Sequence, residues 1–193
     1  SRALLARLAA ADVGNEAFRF MSFGRIELGA TPCLVGRVSY TGDLGYEIWV
    51  APEYQRRLYQ EIMKAGSNEG IINFGMRALL AMRLEKNFPT WYRELRPISG
   101  GFEAGMDRFI DLTKNDCIGR KAATEGRRNG GKLRRVSMVV EAGDADVLGD
   151  EPISHKGKVV GWATSGGFAH FVDKSMAQGY VPKDLAGITA AGA

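Results

Sequence analysis

Two segments carry most of the chemistry that this 193-residue sequence can offer. The first is Gly36-Arg37-Val38-Ser39-Tyr40-Thr41-Gly42-Asp43-Leu44-Gly45-Tyr46-Glu47-Ile48, where two β-prone runs flank a glycine-bearing turn. A hairpin here brings Tyr40 and Glu47 together across its loop. A carboxylate accepts two parallel N–H bonds, and a phenol offers a π-face or a hydroxyl. The pair therefore suits a flat heterocycle bearing an amino-pyrimidinone edge, with Glu47 facing a cavity within reach of Tyr40. The same residues also make an ordinary half-exposed hairpin with Glu47 turned to solvent. The second segment is Gly75-Met76-Arg77-Ala78-Leu79-Leu80-Ala81-Met82-Arg83-Leu84-Glu85-Lys86. Arg77 lies near the start of a helix and can fork onto a carboxylate or carbonyl of a ligand. A surface helix with solvated arginines accounts for the same pattern.

Other residues carry less. His155 and His170 have no Ser or Cys partner at a recognisable spacing, and both read as structural. Metal ligation is not expected, since two His and two distant Cys fit no common metal-site spacing. No dinucleotide fingerprint or phosphate-binding loop occurs: Ser99-Gly100-Gly101 lacks the strand–loop–helix context.

The elements that must position these residues follow from the apolar spacing. Leu4, Leu5 and Leu8 open a short helix. Residues 23–50 are β-structure, and Pro52 starts a helix that runs to about Lys64, with Gly66 near its C-cap. A second helix covers about Phe74 to Glu85, and Pro89 and Pro97 bracket an irregular stretch. Lys121, Arg127, Arg128 and Lys132 surround Gly126 and an Asn129-Gly130-Gly131 turn, which reads as a linker. Leu133–Val140, Lys158–Thr164 and Phe168–Tyr180 are short β-prone runs suited to a small barrel or sandwich. The expected fold class is α+β: an α+β part over 1–120, a linker over 121–132 and an incomplete β-barrel over 133–193. Both ends read as cuts in a longer polypeptide.

Composition narrows the class. With 45% apolar and 25% charged residues the chain is an ordinary globular one. A net charge of +4 falls short of binding nucleic acid by charge alone, and the basic stretch 120–135 lacks interleaved aromatics. No apolar run approaches the roughly 18 residues that span a bilayer. Nucleic-acid and membrane partners are therefore not expected. Cys33 and Cys117 read as two buried thiols of a reducing compartment, cytoplasmic or, in a eukaryote, mitochondrial.

Several motifs in register identify a resemblance. Tyr40-Thr41-Gly42-Asp43-Leu44-Gly45-Tyr46-Glu47, Gly75-Met76-Arg77, Arg83-Leu84-Glu85-Lys86, Phe102-Glu103-Ala104-Gly105-Met106 and Asp116-Cys117-Ile118-Gly119-Arg120 resemble, in order and spacing, the folate-dependent aminomethyltransferase family. That family includes the glycine-cleavage T-protein and the folate domains of dimethylglycine and sarcosine dehydrogenases. The Arg83-Leu84-Glu85-Lys86 and Thr90-Trp91-Tyr92-Arg93 forms look more like the dehydrogenase-fused branch, and Asp43 stands where the family more often has Glu. The resemblance implies transfer of a one-carbon unit from a methylated amine or aminomethyl donor to tetrahydrofolate. It implies that Tyr40, Glu47 and Arg77 hold the folate, and it implies no catalytic residue in this stretch. FAD would belong only to a dehydrogenase part preceding the sequence. The alternatives are a non-catalytic folate-binding or assembly protein of the same fold, and a demethylase acting on a sulfonium compound. Lacking the first half of the family's domain, the isolated chain is expected to be inactive. It is also expected to form homo-oligomers through apolar surface around Val35, Val38 and Ile48.

Overall fold

The computed structural model describes residues 1–114 and 116–187. The chain divides into two compact units, Ser1–Met82 and Arg83–Ala193.

In the first unit, α1 (Arg2–Leu8) leads to an antiparallel sheet of β1 (Phe23–Leu28), β2 (Thr31–Gly36) and β3 (Glu47–Val50), in the order β1-β2-β3. Side chains alternate across a strand, so the register assigns two faces. Gly24, Ile26, Leu28, Thr31, Cys33, Val35, Ile48 and Val50 share one. That face packs with Leu5 of α1 and with Leu58 of α2 (Pro52–Gly66) to form the core, in which Leu28 and Val35 are fully buried. Each such aliphatic side chain contributes about 1.5–3 kcal/mol by leaving water. The expectation of exposed apolar surface around Val35 is thus corrected, since Val35 and Ile48 belong to the core face. The uncovered apolar residues lie on the opposite face: Phe23, Leu34 and Trp49.

Helix α2 starts as its sequence dictates. Pro52 fills the first turn, where a missing N–H costs nothing, and Glu53 stands beside the positive end of the helix dipole. Helix α3 (Met76–Glu85) begins two residues later than the sequence suggests and ends where it should.

The second unit is built on the antiparallel strands β4 (Leu133–Val140), β5 (Pro152–His155), β6 (Lys158–Ala169) and β7 (Lys174–Pro182), ordered β4-β7-β6-β5. Strand β5 was not anticipated; four residues with Pro at the start give almost no periodic signal. Trp162 and Tyr180 face each other across β6 and β7 and stack at 5.5 Å. The segment expected as a linker is helical as α4 (Arg120–Asn129), flanked by left-handed Gly119 and Gly130 and containing no buried residue. Its alanines and long basic side chains favour a helix, and Arg127 and Arg128 sit at its negative end. Cys33 is buried as expected, whereas Cys117, two residues before that left-handed glycine, is exposed. Among the described residues no helix is long and apolar enough to cross a membrane.

Candidate functional site

The sheet register decides where Glu47 points. Glu47 opens β3 and pairs with Gly36, which in turn pairs with Phe23. Tyr40 is therefore not its cross-strand neighbour. It lies, half-buried, in the ten-residue connection between β2 and β3. That connection turns through Gly42 at φ +79°, and the Ser39 and Thr41 hydroxyls hydrogen-bond at 2.8 Å. Tyr46, at its far end, packs into the core and stacks on Phe18 with ring centres 6.3 Å apart.

Glu47 is exposed on the open face of the sheet, without the cavity that the sequence reading gave it. Its carboxylate has no hydrogen bond or ion pair among the described residues. Arg77, the second residue of α3, is likewise exposed and unpaired among them. Both groups are free to meet a ligand.

Beside Glu47 lies a feature that the linear sequence hid. Phe23 and Trp49 approach to 5.7 Å between ring centres, with their planes tilted by 32°. Gly36 makes this possible: a Cβ there would come within 2.5 Å of the Phe23 ring and 3.0 Å of the Trp49 ring. The next row on the same face is Arg25, Leu34 and Trp49. Arg25, Glu27, Pro32 and Leu34 line a shallow recess of about 350 Å³. Phe23, Gly36 and Trp49 are separated by 13 to 26 positions in the chain, so only strand pairing brings them together.

Arg83, six residues beyond Arg77, has a different role. Its side chain is 3% exposed and pairs at 3.2 Å with Glu94, which is fully buried. Glu94 also accepts from the Thr90 N–H at 2.7 Å, the Thr164 hydroxyl at 2.6 Å and the Ser165 hydroxyl. A carboxylate with this many donors is a structural hub, joining the end of α3 and the 89–97 loop to β6. Glu103 does similar work nearby. It accepts from the N–H groups of Gly100, Lys132 and Leu133, tying the 100–105 turn to the start of β4. Partial burial pushes its carboxyl up. The three N–H groups and the Arg134 guanidinium outweigh that and hold it below the ordinary glutamate range.

With this geometry in place, comparison with known proteins is decisive for the family. The model of the GCVT N-terminal domain matches residues 1–114, and that of the glycine cleavage T-protein C-terminal barrel domain matches residues 134–191. The chain belongs to the glycine cleavage T-protein family. The mitochondrial dimethylglycine dehydrogenase of Rattus norvegicus is 39% identical over 186 residues, spanning 96% of this chain and 22% of that protein. The aminomethyltransferase of Desulfitobacterium hafniense (strain DSM 10664 / DCB-2) is 30% identical, over 96% of this chain and 50% of that protein. The crystal structure of glycine cleavage system aminomethyltransferase T from Bartonella henselae superposes with a TM-score of 0.80 at 26% identity, covering 94% of this chain and 48% of that one. The chain thus spans about half of the aminomethyltransferases and about a fifth of the dehydrogenase. The T-protein family assignment agrees with the α+β fold and the C-terminal barrel read from the sequence.

Proposed function

We propose that this chain is the folate-holding part of a protein that transfers a one-carbon unit from a methylated amine or aminomethyl donor to tetrahydrofolate. The observation that carries the reading is Glu47, a carboxylate held at the start of a strand, accessible and without a partner among the described residues. Surface carboxylates cost little to leave in water, so this one is available for ligand binding at no structural expense. Its two oxygens can accept the paired N–H groups of an amino-pyrimidinone ring. Tyr40 supplies a ring face or a hydroxyl from the β2–β3 connection, and Arg77 supplies a forked donor for a carbonyl or carboxylate. Tetrahydrofolate, when bound, supplies the amine nitrogens that take up the one-carbon unit. Here the chain's own residues hold and orient it. Residues 1–120 would contribute this site and 133–193 the barrel. The names of the dehydrogenase relatives support a mitochondrial setting for the eukaryotic branch.

The test is calorimetric titration of tetrahydrofolate into the chain and into Glu47→Ala and Arg77→Ala. Loss of a hydrogen bond to a charged group costs about 1.5–3 kcal/mol, so Glu47→Ala is expected to weaken binding by that amount. A change below about 0.5 kcal/mol would return Glu47 to the status of a solvated surface carboxylate.

A further inference from the structure

We infer that the Phe23–Trp49 pair is the stacking platform for the flat ring whose N–H edge meets Glu47; this rests on the folate reading above. Three observations converge. First, both rings are substantially uncovered, Phe23 at 53% and Trp49 at 43% exposure, although the other face of their sheet forms the core. Large aromatics left half in water on a regular strand bear a cost that a ligand's flat face removes. Second, Gly36 is the residue directly between Phe23 and Glu47 in the register. A side chain at that position would occupy the space the two rings fill. The glycine therefore lets the aromatic surface and the carboxylate share one row of the sheet. Third, Trp49 follows Glu47 by two residues, so both project from the same face, roughly 7 Å apart along the strand. That separation matches the length of a fused two-ring heterocycle lying on the indole with its edge toward the carboxylate.

The same face also sets what lies beyond the ring. Leu34 is the cross-strand partner of Trp49, and it borders the recess that Arg25, Glu27 and Pro32 complete. An aryl extension of the heterocycle would run over Leu34 toward Arg25, whose guanidinium has no partner among the described residues. The ligand class is thus a planar, N–H-bearing heterocycle with an apolar arm and an anionic end. A simple cation or a sugar would leave either the rings or the paired acceptors unused.

The experiment uses 5-formyltetrahydrofolate as a stable probe, titrated calorimetrically into the 193-residue chain and into Trp49→Ala, Trp49→Phe, Phe23→Ala and Glu47→Ala. Base-on-aromatic stacking supports an expected loss of roughly five- to a hundredfold in affinity for Trp49→Ala. Trp49→Phe, which keeps a ring, is expected to stay within about threefold. Ligand-induced quenching of tryptophan emission is expected to fall in Trp49→Phe, because the indole beneath the ligand would be gone and only Trp91 and Trp162 would still emit. Circular dichroism and melting temperature are expected to be unchanged for Trp49→Ala, since half of that ring is already in water. If Glu47→Ala weakens binding while Trp49→Ala stays within twofold, the platform is refuted and the folate reading stands. If neither variant changes the affinity, or the wild-type chain takes up no probe, both fall. A loss in Trp49→Ala that accompanies unfolding is separated by Trp49→Phe, whose failure to restore affinity in a folded protein also refutes the platform.

Discussion

Replacing Glu94 by alanine is expected to destabilise the second unit more than any other single carboxylate change. Glu94 is fully buried and takes hydrogen bonds from Arg83, Thr90, Thr164 and Ser165. Arg83 is 3% exposed, and besides Glu94 its guanidinium donates to the Phe88 carbonyl at 3.0 Å, while its Nε is buried without an acceptor among the described residues. Deleting the carboxylate leaves an uncompensated charge in the interior, which costs about 3–5 kcal/mol. For a chain of this size each kcal/mol shifts the melting temperature by about 2–4 °C. The expected fall is therefore about 6–20 °C in calorimetry. The argument further requires that the pair be replaceable as a unit: Arg83→Met with Glu94→Leu removes both charges and should recover at least about 2 kcal/mol relative to Glu94→Ala. Urea titrations of wild type, Arg83→Met, Glu94→Leu and the double variant, followed by tryptophan emission, complete the cycle. A cost below about 1 kcal/mol for Glu94→Ala, or strict additivity of the two changes, would refute the hub.

Glu103→Gln is expected to cost about 1–2 kcal/mol at pH 7, since one oxygen serves the Lys132 and Leu133 N–H groups and the other that of Gly100. The native carboxyl is held low, so its contribution is complete above the ordinary glutamate pKa and disappears as pH falls through the native value. Melting temperatures of wild type and Glu103→Gln should converge as the pH falls through that lowered native value, and a gap that stays constant under acidification would contradict the assignment. Tyr180→Phe removes a buried O–H that donates to the Glu94 carbonyl at 2.7 Å, with an expected loss of about 1–2 kcal/mol in urea unfolding; a neutral result would mean that the hydroxyl finds no net gain there. Thiol titration should find Cys117 reacting at once and Cys33 only after denaturant is added, because Cys33 is buried and burial pushes its thiol pKa up; two equally fast thiols would contradict the packing of β2. Limited trypsin digestion should cut first after Arg127 or Arg128 on exposed α4, and early cuts within 47–86 would argue against that.

Local chemistry was legible in the sequence wherever it is set by neighbours along the chain. Pro52 and Glu53 announce the start of α2, the apolar runs within 23–50 mark β-structure, and the motif from Tyr40 to Glu47 carries the family resemblance. The basic run around α4, expected as a linker, is helical, since its glycines flank a helix rather than interrupt the chain. Cys117 shows the same limit, because thiol burial depends on what packs above it and not on residue type. Pairing register, and therefore the site, was decided by tertiary structure. Strand pairing places Gly36 rather than Tyr40 opposite Glu47, because β2 ends four residues before the tyrosine and a long connection follows. A one-residue slip would have turned Glu47 into the core and Ile48 out to water. The buried apolar face forbids that slip, and it is this face, assembled from α1, α2 and three strands, that fixes which side chains stand in the open. Arg77 and Arg83 make the point in one helix: six residues apart and alike in sequence, one reaches solvent and the other is locked to Glu94, which strand β6 holds from much further along the chain.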